Sequence, residues 1–194
     1  MPKIVNHEER REQIAEAMWR VILEKGMEGA TVRNIAGEAG LSTGALRHYF
    51  KDQDELLVYA MRLVNERVEK RAMVILQEEL PPKEKVIRVL LEIVPVDEER
   101  RAEMDVWFTF QAHIRHRKDL EGAPGHALGA AVSKLFDFLA YEGELKEELD
   151  IELEAERLYS IADGLALHAF LEPNRLRADT VETLIRDSVG RICK

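Results

Sequence analysis

Side chains suited to binding nucleic acid lie close together near the amino-terminal end of the chain, in the stretch LSTGALRHYFK, residues 41–51. Arg47, His48 and Lys51 can donate hydrogen bonds to phosphate oxygens and to acceptor atoms on base edges. The Ser-Thr pair at the start of the stretch offers hydroxyl groups and backbone amides, which suit a phosphate at a helix start. These residue types favour recognition of DNA over covalent chemistry.

A helix is the element that would place these groups on one surface. Ser42 suits the N-cap of such a helix, and Leu46, Tyr49 and Phe50 then fall on its inward side at positions i, i+3 and i+4. By the helical step of about 100° per residue, the outward side and its flanks carry Thr43, Gly44, Ala45, Arg47, His48 and Lys51. The small residues would let the backbone approach a major groove closely.

Two preceding helices would support this one. The first begins near His7 and ends at Gly26, and the second follows the N-cap Thr31 and ends at Gly40. A helix, a tight turn with glycine and a second capped helix form the helix-turn-helix pattern. Arg33, on the outer side of the middle helix, would hold the DNA backbone. The alternative is a helix pair that only packs, in an interaction module that binds protein partners instead of DNA.

Composition and periodicity predict an all-α protein. Of the 194 residues, 46% are hydrophobic and 6% aromatic, and apolar residues recur at steps of three and four. Glycine and proline divide this pattern into eight or nine helices. No apolar run reaches about 18 residues and no export signal follows the charged start, so we expect a cytoplasmic protein without a membrane partner. The single cysteine, Cys193, is expected to be a surface thiol in a reducing compartment.

The charge is unevenly distributed along the chain. The net charge is −9, but residues 1–52 carry eight basic and eight acidic residues, and the remainder carries 20 basic against 29 acidic. We therefore place a helix-turn-helix domain at residues 1–52 and a second helical domain at residues 53–194. A long helical pattern from about Asp54 to Leu80 joins them.

A family resemblance rests on the run AEAMWRVILEKGMEGATVRNIAGEAGLSTGALRHYFKDQDELL, which ends at Leu57. Its ordered series of Glu-Lys-Gly, Ala-Thr-Val, Ala-Gly-x-Ser-x-Gly-x-Leu and Tyr-Phe resembles the N-terminal domain of the tetracycline-repressor (TetR) family of bacterial transcription regulators. Within that family, the Ser-Thr-Gly and His-Tyr-Phe triplets are similar to the branch containing choline-responsive repressors of betaine synthesis.

The resemblance implies a homodimeric repressor whose two recognition helices bind a palindromic double-stranded DNA operator. A small-molecule effector in the second domain, a ligand-binding and dimerisation domain, would release the DNA. By position, Thr31 and Arg33 would bind phosphate. The residues that would contact bases or phosphates are Thr43, Gly44, Ala45, Arg47, His48 and Tyr49.

The chain departs from the family pattern at two positions. Arg47 stands where many members have tyrosine, and Gln53 stands where they have lysine, so Lys51 or Arg47 would supply the phosphate anchor. The fourth helix begins with a predicted capping box, Asp52 with Glu55. This helix would transmit the effector signal, because it runs across the predicted domain boundary.

Two apolar helix faces near the carboxyl end are candidates for the dimer contact, one on either side of Pro173. The resemblance implies that these helices pair with their mates in a four-helix bundle. The predicted contact residues are Leu158, Ala162, Leu165, Ala169, Val181, Leu184 and Ile185. Ordinary core packing within one chain is the alternative for each of them.

Aromatic residues of the second domain are candidates for an effector pocket. The residues selected are Met104, Trp107, Phe108, Gln111, Phe136 and Tyr159. Core packing is the alternative for this group too, since pockets in helix bundles are built from the same residue types. A cage around a quaternary amine is one form such a pocket could take.

Motifs for enzymatic chemistry are not found in the sequence. His113 and His116 have metal-compatible spacing and His126 follows, but no cysteine cluster or HExxH motif accompanies them, so we interpret them as surface or packing histidines. Phosphate-binding loops, dinucleotide fingerprints and nucleophile elbows are lacking. We therefore expect no catalytic residues, no metal and no cofactor.

Overall fold

The computed structural model describes residues 7–115, 117 and 127–194. Over these residues the chain is all-α, as predicted, and forms nine helices with no strand. They are α1 (His7–Gly29), α2 (Val32–Glu38), α3 (Thr43–Arg47), α4 (Gln53–Gln77), α5 (Pro82–Leu91), α6 (Glu98–Ile114), α7 (Ala127–Tyr141), α8 (Ile151–Leu171) and α9 (Ala178–Ile192). None of these described helices combines the length and apolar character needed to cross a bilayer.

The chain divides into two compact units. Unit 1 comprises Met1–Glu66 and Ala102–Gly125, and unit 2 comprises Arg67–Arg101 and His126–Lys194. Two helices have residues in both units, because α4 is divided after Glu66 and α6 after Arg101.

Unit 1 is organised around α1, whose apolar face is buried against α2 and other residues of the unit. Its regular helical backbone is interrupted at Gly26, where φ is 68° and ψ −179°. The predicted end of the first helix therefore coincides with a positive-φ backbone conformation, which glycine adopts without steric cost. The residues at the centre of this core are Ile14, Met18, Ile35, Leu46, Phe50, Leu57 and Met61.

Unit 2 has its core among α5, α7, α8 and α9. Pro82 begins α5, where a missing backbone N–H costs nothing. The predicted break at Pro173 is also present, since α8 ends at Leu171 and α9 begins at Ala178. The core includes Val86, Leu90, Leu135, Phe136, Leu139, Leu158, Ala162, Leu165, Ala169, Val181, Ile185 and Val189.

Cys193 is buried, so the expectation of a surface thiol was wrong. The residue is 1% exposed, follows the last residue of α9 and forms an isolated antiparallel bridge with Leu145. Burial raises the pKa of its thiol. A free cysteine often behaves as a small hydrophobic residue, and here it completes the core of unit 2.

Candidate nucleic-acid interface

The third helix is short and is fixed at its start by a side-chain cap. Ser42 has extended backbone angles, and its Oγ accepts a hydrogen bond from the Ala45 amide at 3.1 Å. The helix ends at Arg47, but two further amides, those of Tyr49 and Phe50, donate to the Leu46 carbonyl at 2.9 and 3.1 Å. The whole stretch therefore keeps a helical course beyond the last helical residue.

The turn between α2 and α3 depends on Gly40. Its φ is 65°, and its amide donates to the Gly37 carbonyl at 3.2 Å, while the Leu41 amide donates to the Ala36 carbonyl at 2.8 Å. These two bonds are those of a Schellman motif, which requires a left-handed residue after the helix. The predicted glycine turn thus has a specific backbone role.

The start of α2 carries the other predicted cap. Thr31 Oγ1 accepts a hydrogen bond from the Asn34 amide at 3.2 Å, and the Asn34 side chain donates to the Gly29 carbonyl at 2.9 Å. Thr31 and Arg33 are both exposed. The two caps fix where α2 and α3 begin, from local sequence alone.

The outward face of α3 has the composition expected from the helical spacing. Leu46 and Phe50 are buried, whereas Ala45 and Tyr49 are half-buried, the latter with its ring centroid 5.0 Å from that of His7. The exposed predicted residues of this face are Ser42, Thr43, Gly44, Arg47, His48 and Lys51. Their contact with DNA remains a prediction.

The predicted capping box at the start of α4 forms only in part. Asp52 Oδ1 accepts from the Glu55 amide at 2.9 Å, as expected. The Glu55 carboxylate accepts instead from the Lys51 amide at 2.8 Å and pairs with Arg11 at 3.2 Å. Gln53, the first residue of α4, is half-buried beside these groups.

Asp54 forms ion pairs with residues from the end of α6 and beyond it. The carboxylate is 2.6 Å from His113 Nε2 and 2.6 Å from Arg117 Nη1. Burial acts to raise the pKa of Asp54, but the hydrogen bonds from His113 and Arg117 outweigh it and hold the pKa below its ordinary value. Sequence spacing gave no indication of these contacts. His116 and His126 lie outside the described residues.

The predicted effector residues fall in both units. In unit 1, Met104, Trp107, Phe108 and Gln111 of α6 are half-buried, and the Trp107 and Phe108 ring centroids are 5.4 Å apart. An open hollow of about 450 Å³ lies against α6, lined by Phe108, Thr109, Ala112 and His113.

In unit 2, Phe136 is buried in the core and Tyr159 packs against it. Burial, together with the nearby carboxylates of Asp163 and Glu156, raises the pKa of Tyr159. The burial of Phe136 favours core packing, and a role of Phe136 or Tyr159 in an effector pocket stays a prediction.

Six of the seven predicted dimer residues are buried within one chain, and only Leu184 is exposed, at 42%. Leu184 lines a groove of about 270 Å³ between α8 and α9 with the apolar residues Leu158, Ile161 and Ile192. The lining also includes Ser188, two acidic side chains and two basic ones, Glu154, Asp187, Arg157 and Arg191. The burial supports core packing for the other six.

Two family models match the chain. Residues 14–60 match bacterial regulatory proteins of the tetR family, and residues 82–194 match the C-terminal part of BetI-type transcriptional repressors. The chain belongs to the TetR family. It is a helix-turn-helix transcriptional regulator, and α2 and α3 are the helices of that motif.

Curated relatives of this TetR-family regulator are similar over nearly their whole length. The chain is 53% identical over 193 residues to the HTH-type transcriptional regulator PksA of Bacillus subtilis (strain 168), covering 100% of this chain and 94% of that protein. It is 30% identical over 189 residues to the regulator BetI of Cronobacter sakazakii, covering 95% and 91% respectively.

Solved structures show the same fold. A transcriptional regulator from Rhodococcus sp. Rha1 has a TM-score of 0.81 at 28% identity, covering 94% of this chain and 95% of its own. A regulator from Saccharomonospora viridis in complex with choline has a TM-score of 0.84 at 20% identity, covering 96% and 99%.

Proposed function

We propose that this regulator is a repressor that binds a palindromic DNA operator as a homodimer and leaves it when a small-molecule effector binds. The observation that carries the proposal is the outward face of α3. It presents small residues first and basic residues afterwards, on a helix whose opposite side is anchored by Leu46 and Phe50. Such a face suits insertion into a major groove, with Arg47 and His48 within reach of bases or phosphates.

The DNA backbone would be held from both sides of this helix. Thr31 and Arg33 are exposed at the start of α2, and Lys51 is exposed just beyond α3. Lys51 would replace the lysine that the family pattern has at Gln53. Two of the three acidic residues that follow it, Asp54 and Glu55, are already paired with basic side chains of the protein, and the Asp52 carboxylate accepts the Glu55 amide.

The homodimer is proposed to form through α8 and α9. The groove between these helices has an apolar lining and a balanced set of two acidic and two basic side chains, on a chain whose net charge is −9. A surface with balanced charge favours a second copy of the same chain, because an isologous interface places the same patch, with the same charges, on both subunits. Leu184 would contact the partner subunit, and the six buried residues would support it.

The effector is proposed to bind beside α6 and to act through α4. Half-buried Trp107 and Phe108 are suitable lining for an organic ligand. Choline is the first compound to test, since the S. viridis regulator was solved with it and aromatic side chains bind quaternary amines. Asp54 near the start of α4 pairs with His113 of α6, so a ligand beside α6 and DNA at α3 would oppose each other through a reciprocal coupling free energy.

Selection from a pool of random duplex oligonucleotides tests the proposal. The protein would be incubated with the pool at moderate salt, and the retained duplexes sequenced. We expect an inverted repeat whose half-sites are about one helical turn apart. Affinity for it should fall steeply as salt rises, because several phosphates are contacted. Retention of no preferred sequence, even at low salt, would overturn the proposal.

The interaction-module alternative is not favoured, because membership of a family of DNA-binding regulators accounts for the helix-turn-helix. A module that binds only proteins would show neither the sequence preference nor the salt dependence. We also propose that the protein has no enzymatic activity of its own.

A further inference from the structure

Arg11 of α1 lies against the connection between α3 and α4, although none of the proposed DNA contacts involves α1. Its guanidinium carbon is 4.4 Å from the ring centroid of Phe50 and 4.7 Å from that of Tyr59. The two rings meet edge to face at 5.3 Å. The Arg11 side chain is only 23% exposed, so these cation–π contacts are partly shielded from water.

A second set of contacts leads from Arg11 to Lys51. Arg11 Nη2 is 3.2 Å from Glu55 Oε1, and the other oxygen of that carboxylate accepts from the Lys51 amide at 2.8 Å. Arg11 and Glu55 are 44 residues apart in sequence. One side chain of the first helix is thereby connected to the backbone of a proposed phosphate anchor.

We propose that Arg11 is a positioning residue for operator binding, which fixes residues 48–52 through Phe50 and Glu55 without touching the DNA itself. The inference rests on the proposed function. By holding Phe50, Arg11 fixes the segment that follows α3. By holding Glu55, it fixes the backbone position of Lys51, whose amide donates to the same carboxylate. The two contacts together would determine where His48 and Lys51 meet the DNA.

The charge of Arg11 has a separate effect from its packing. Without it, the Glu55 carboxylate would lose its basic partner while remaining bonded to the Lys51 amide. An uncompensated carboxylate there would repel a phosphate and attract the Lys51 ammonium group. The loss should therefore appear as a missing phosphate contact, and not only as a less stable fold.

The test compares Arg11→Met with Arg10→Met. Methionine keeps an unbranched apolar side chain at position 11 but removes the charge and the guanidinium. Arg10 is the matched control, because it lies on the same helix, loses the same charge and donates to Gln13 on its own helix. Operator affinity is measured for both variants across a salt series with the duplex obtained by selection, and thermal unfolding is recorded alongside.

We expect R11M to bind the operator about tenfold more weakly than R10M. The slope of log affinity against log salt should be smaller in magnitude by about 0.9, which corresponds to the loss of one phosphate contact. A merely structural role would lower the fraction of competent protein and leave the slope unchanged. The double variant R11M/E55Q removes the uncompensated carboxylate and should recover most of the slope. If R11M fails to fold, Arg11→Lys, which keeps the charge but loses the planar stack, should retain the wild-type slope with weaker binding.

Two results would overturn the inference. An R11M slope equal to that of R10M would show that Arg11 does not position a phosphate contact. An R11K variant that binds as tightly as wild type would show that the stacking of the guanidinium on Phe50 and Tyr59 does not position the segment. If the wild-type protein binds no duplex at all, the proposed function itself fails. If the wild type binds and the variants do not differ, only the role of Arg11 fails.

Discussion

At the residue scale, α2, α3 and α4 each begin with a side chain that accepts one of the free backbone amides of the helix. Ser42 and Thr31 accept the amides that begin α3 and α2, and Asp52 does so for α4. Because these caps take up backbone donors, Arg47, His48 and Lys51 remain at the surface with no structural task in the caps. Exposed basic residues on a fixed backbone are the arrangement that DNA contact requires.

Arg47→Ala tests the most central of these basic residues. We expect weaker operator binding and an unchanged fold. If Arg47 contacts a base, the binding free energy should fall by about 1 to 3 kcal/mol; if it contacts a phosphate, the slope of log affinity against log salt should fall by about one. A fluorescence titration with the selected duplex measures both quantities. Arg177→Ala, at a strongly exposed arginine of unit 2, is the control, and equal affinity of the two variants would reject the role.

Asp54 should make the stability of the protein depend on pH. Its pKa in the folded chain lies below the ordinary value of 3.8, so its contribution is present above that value and is lost as the pH falls through the folded pKa. Asp54→Asn should cost about 1 to 2 kcal/mol of the free energy of unfolding at pH 7, as expected for hydrogen bonds to a charged group. The difference in the free energy of unfolding between D54N and wild type, measured by urea denaturation, should shrink on acidification below about pH 4.

The contact with His113 provides the control for that prediction. Because Asp54 and His113 form one pair, His113→Gln and D54N should not be additive in the double variant. Fully additive losses, or a D54N difference that does not change with pH, would contradict this account.

At the scale of the elements, sequence patterns predicted what depends on neighbouring residues. Caps, glycine turns and apolar spacing determine α2, α3 and the break between α8 and α9, and all of these were predicted. The pairing of Arg11 with Glu55 was not, because no local pattern links residues 44 positions apart. The dimer residues show the same limit, since an apolar face such as that of Leu158 does not indicate whether its own chain or a partner covers it.

Gly40→Ala tests the turn between the two helices of the motif. No atom lies within 4 Å of an added Cβ, so the cost would come from the left-handed backbone alone, about 1 kcal/mol. Gly37→Ala is the matched control, because it also has an open site but lies within α2, where alanine is favoured by up to about 1 kcal/mol. Urea denaturation should show opposite signs for the two variants, and a G40A protein as stable as G37A would refute the role of the turn.

At the scale of the whole molecule, a net charge of −9 opposes association with DNA. Binding must therefore come from a local basic face, which the proposed homodimer would present twice. A single α3 is five helical residues long and offers few contacts. Specific affinity is thus expected to depend on the dimer more than on any one residue.

Leu184→Glu tests that dependence. A carboxylate placed on the apolar lining of the α8–α9 groove should raise the dimer dissociation constant at least about tenfold, as measured by analytical ultracentrifugation. Operator affinity should fall with it. Leu23→Glu, at an exposed leucine of α1, is the control for an added charge. An L184E protein that remains as dimeric as L23E would place the interface elsewhere.

The buried position of Cys193 also makes the protein its own reporter. The chain contains one cysteine, and its thiol is enclosed in the core of unit 2. A thiol reagent can reach it only when that core opens, so the labelling rate of the unmodified protein measures local opening. Compounds that bind unit 2 in its closed form would slow the labelling, and this offers a screen for ligands of that unit that needs neither the operator nor any engineered probe.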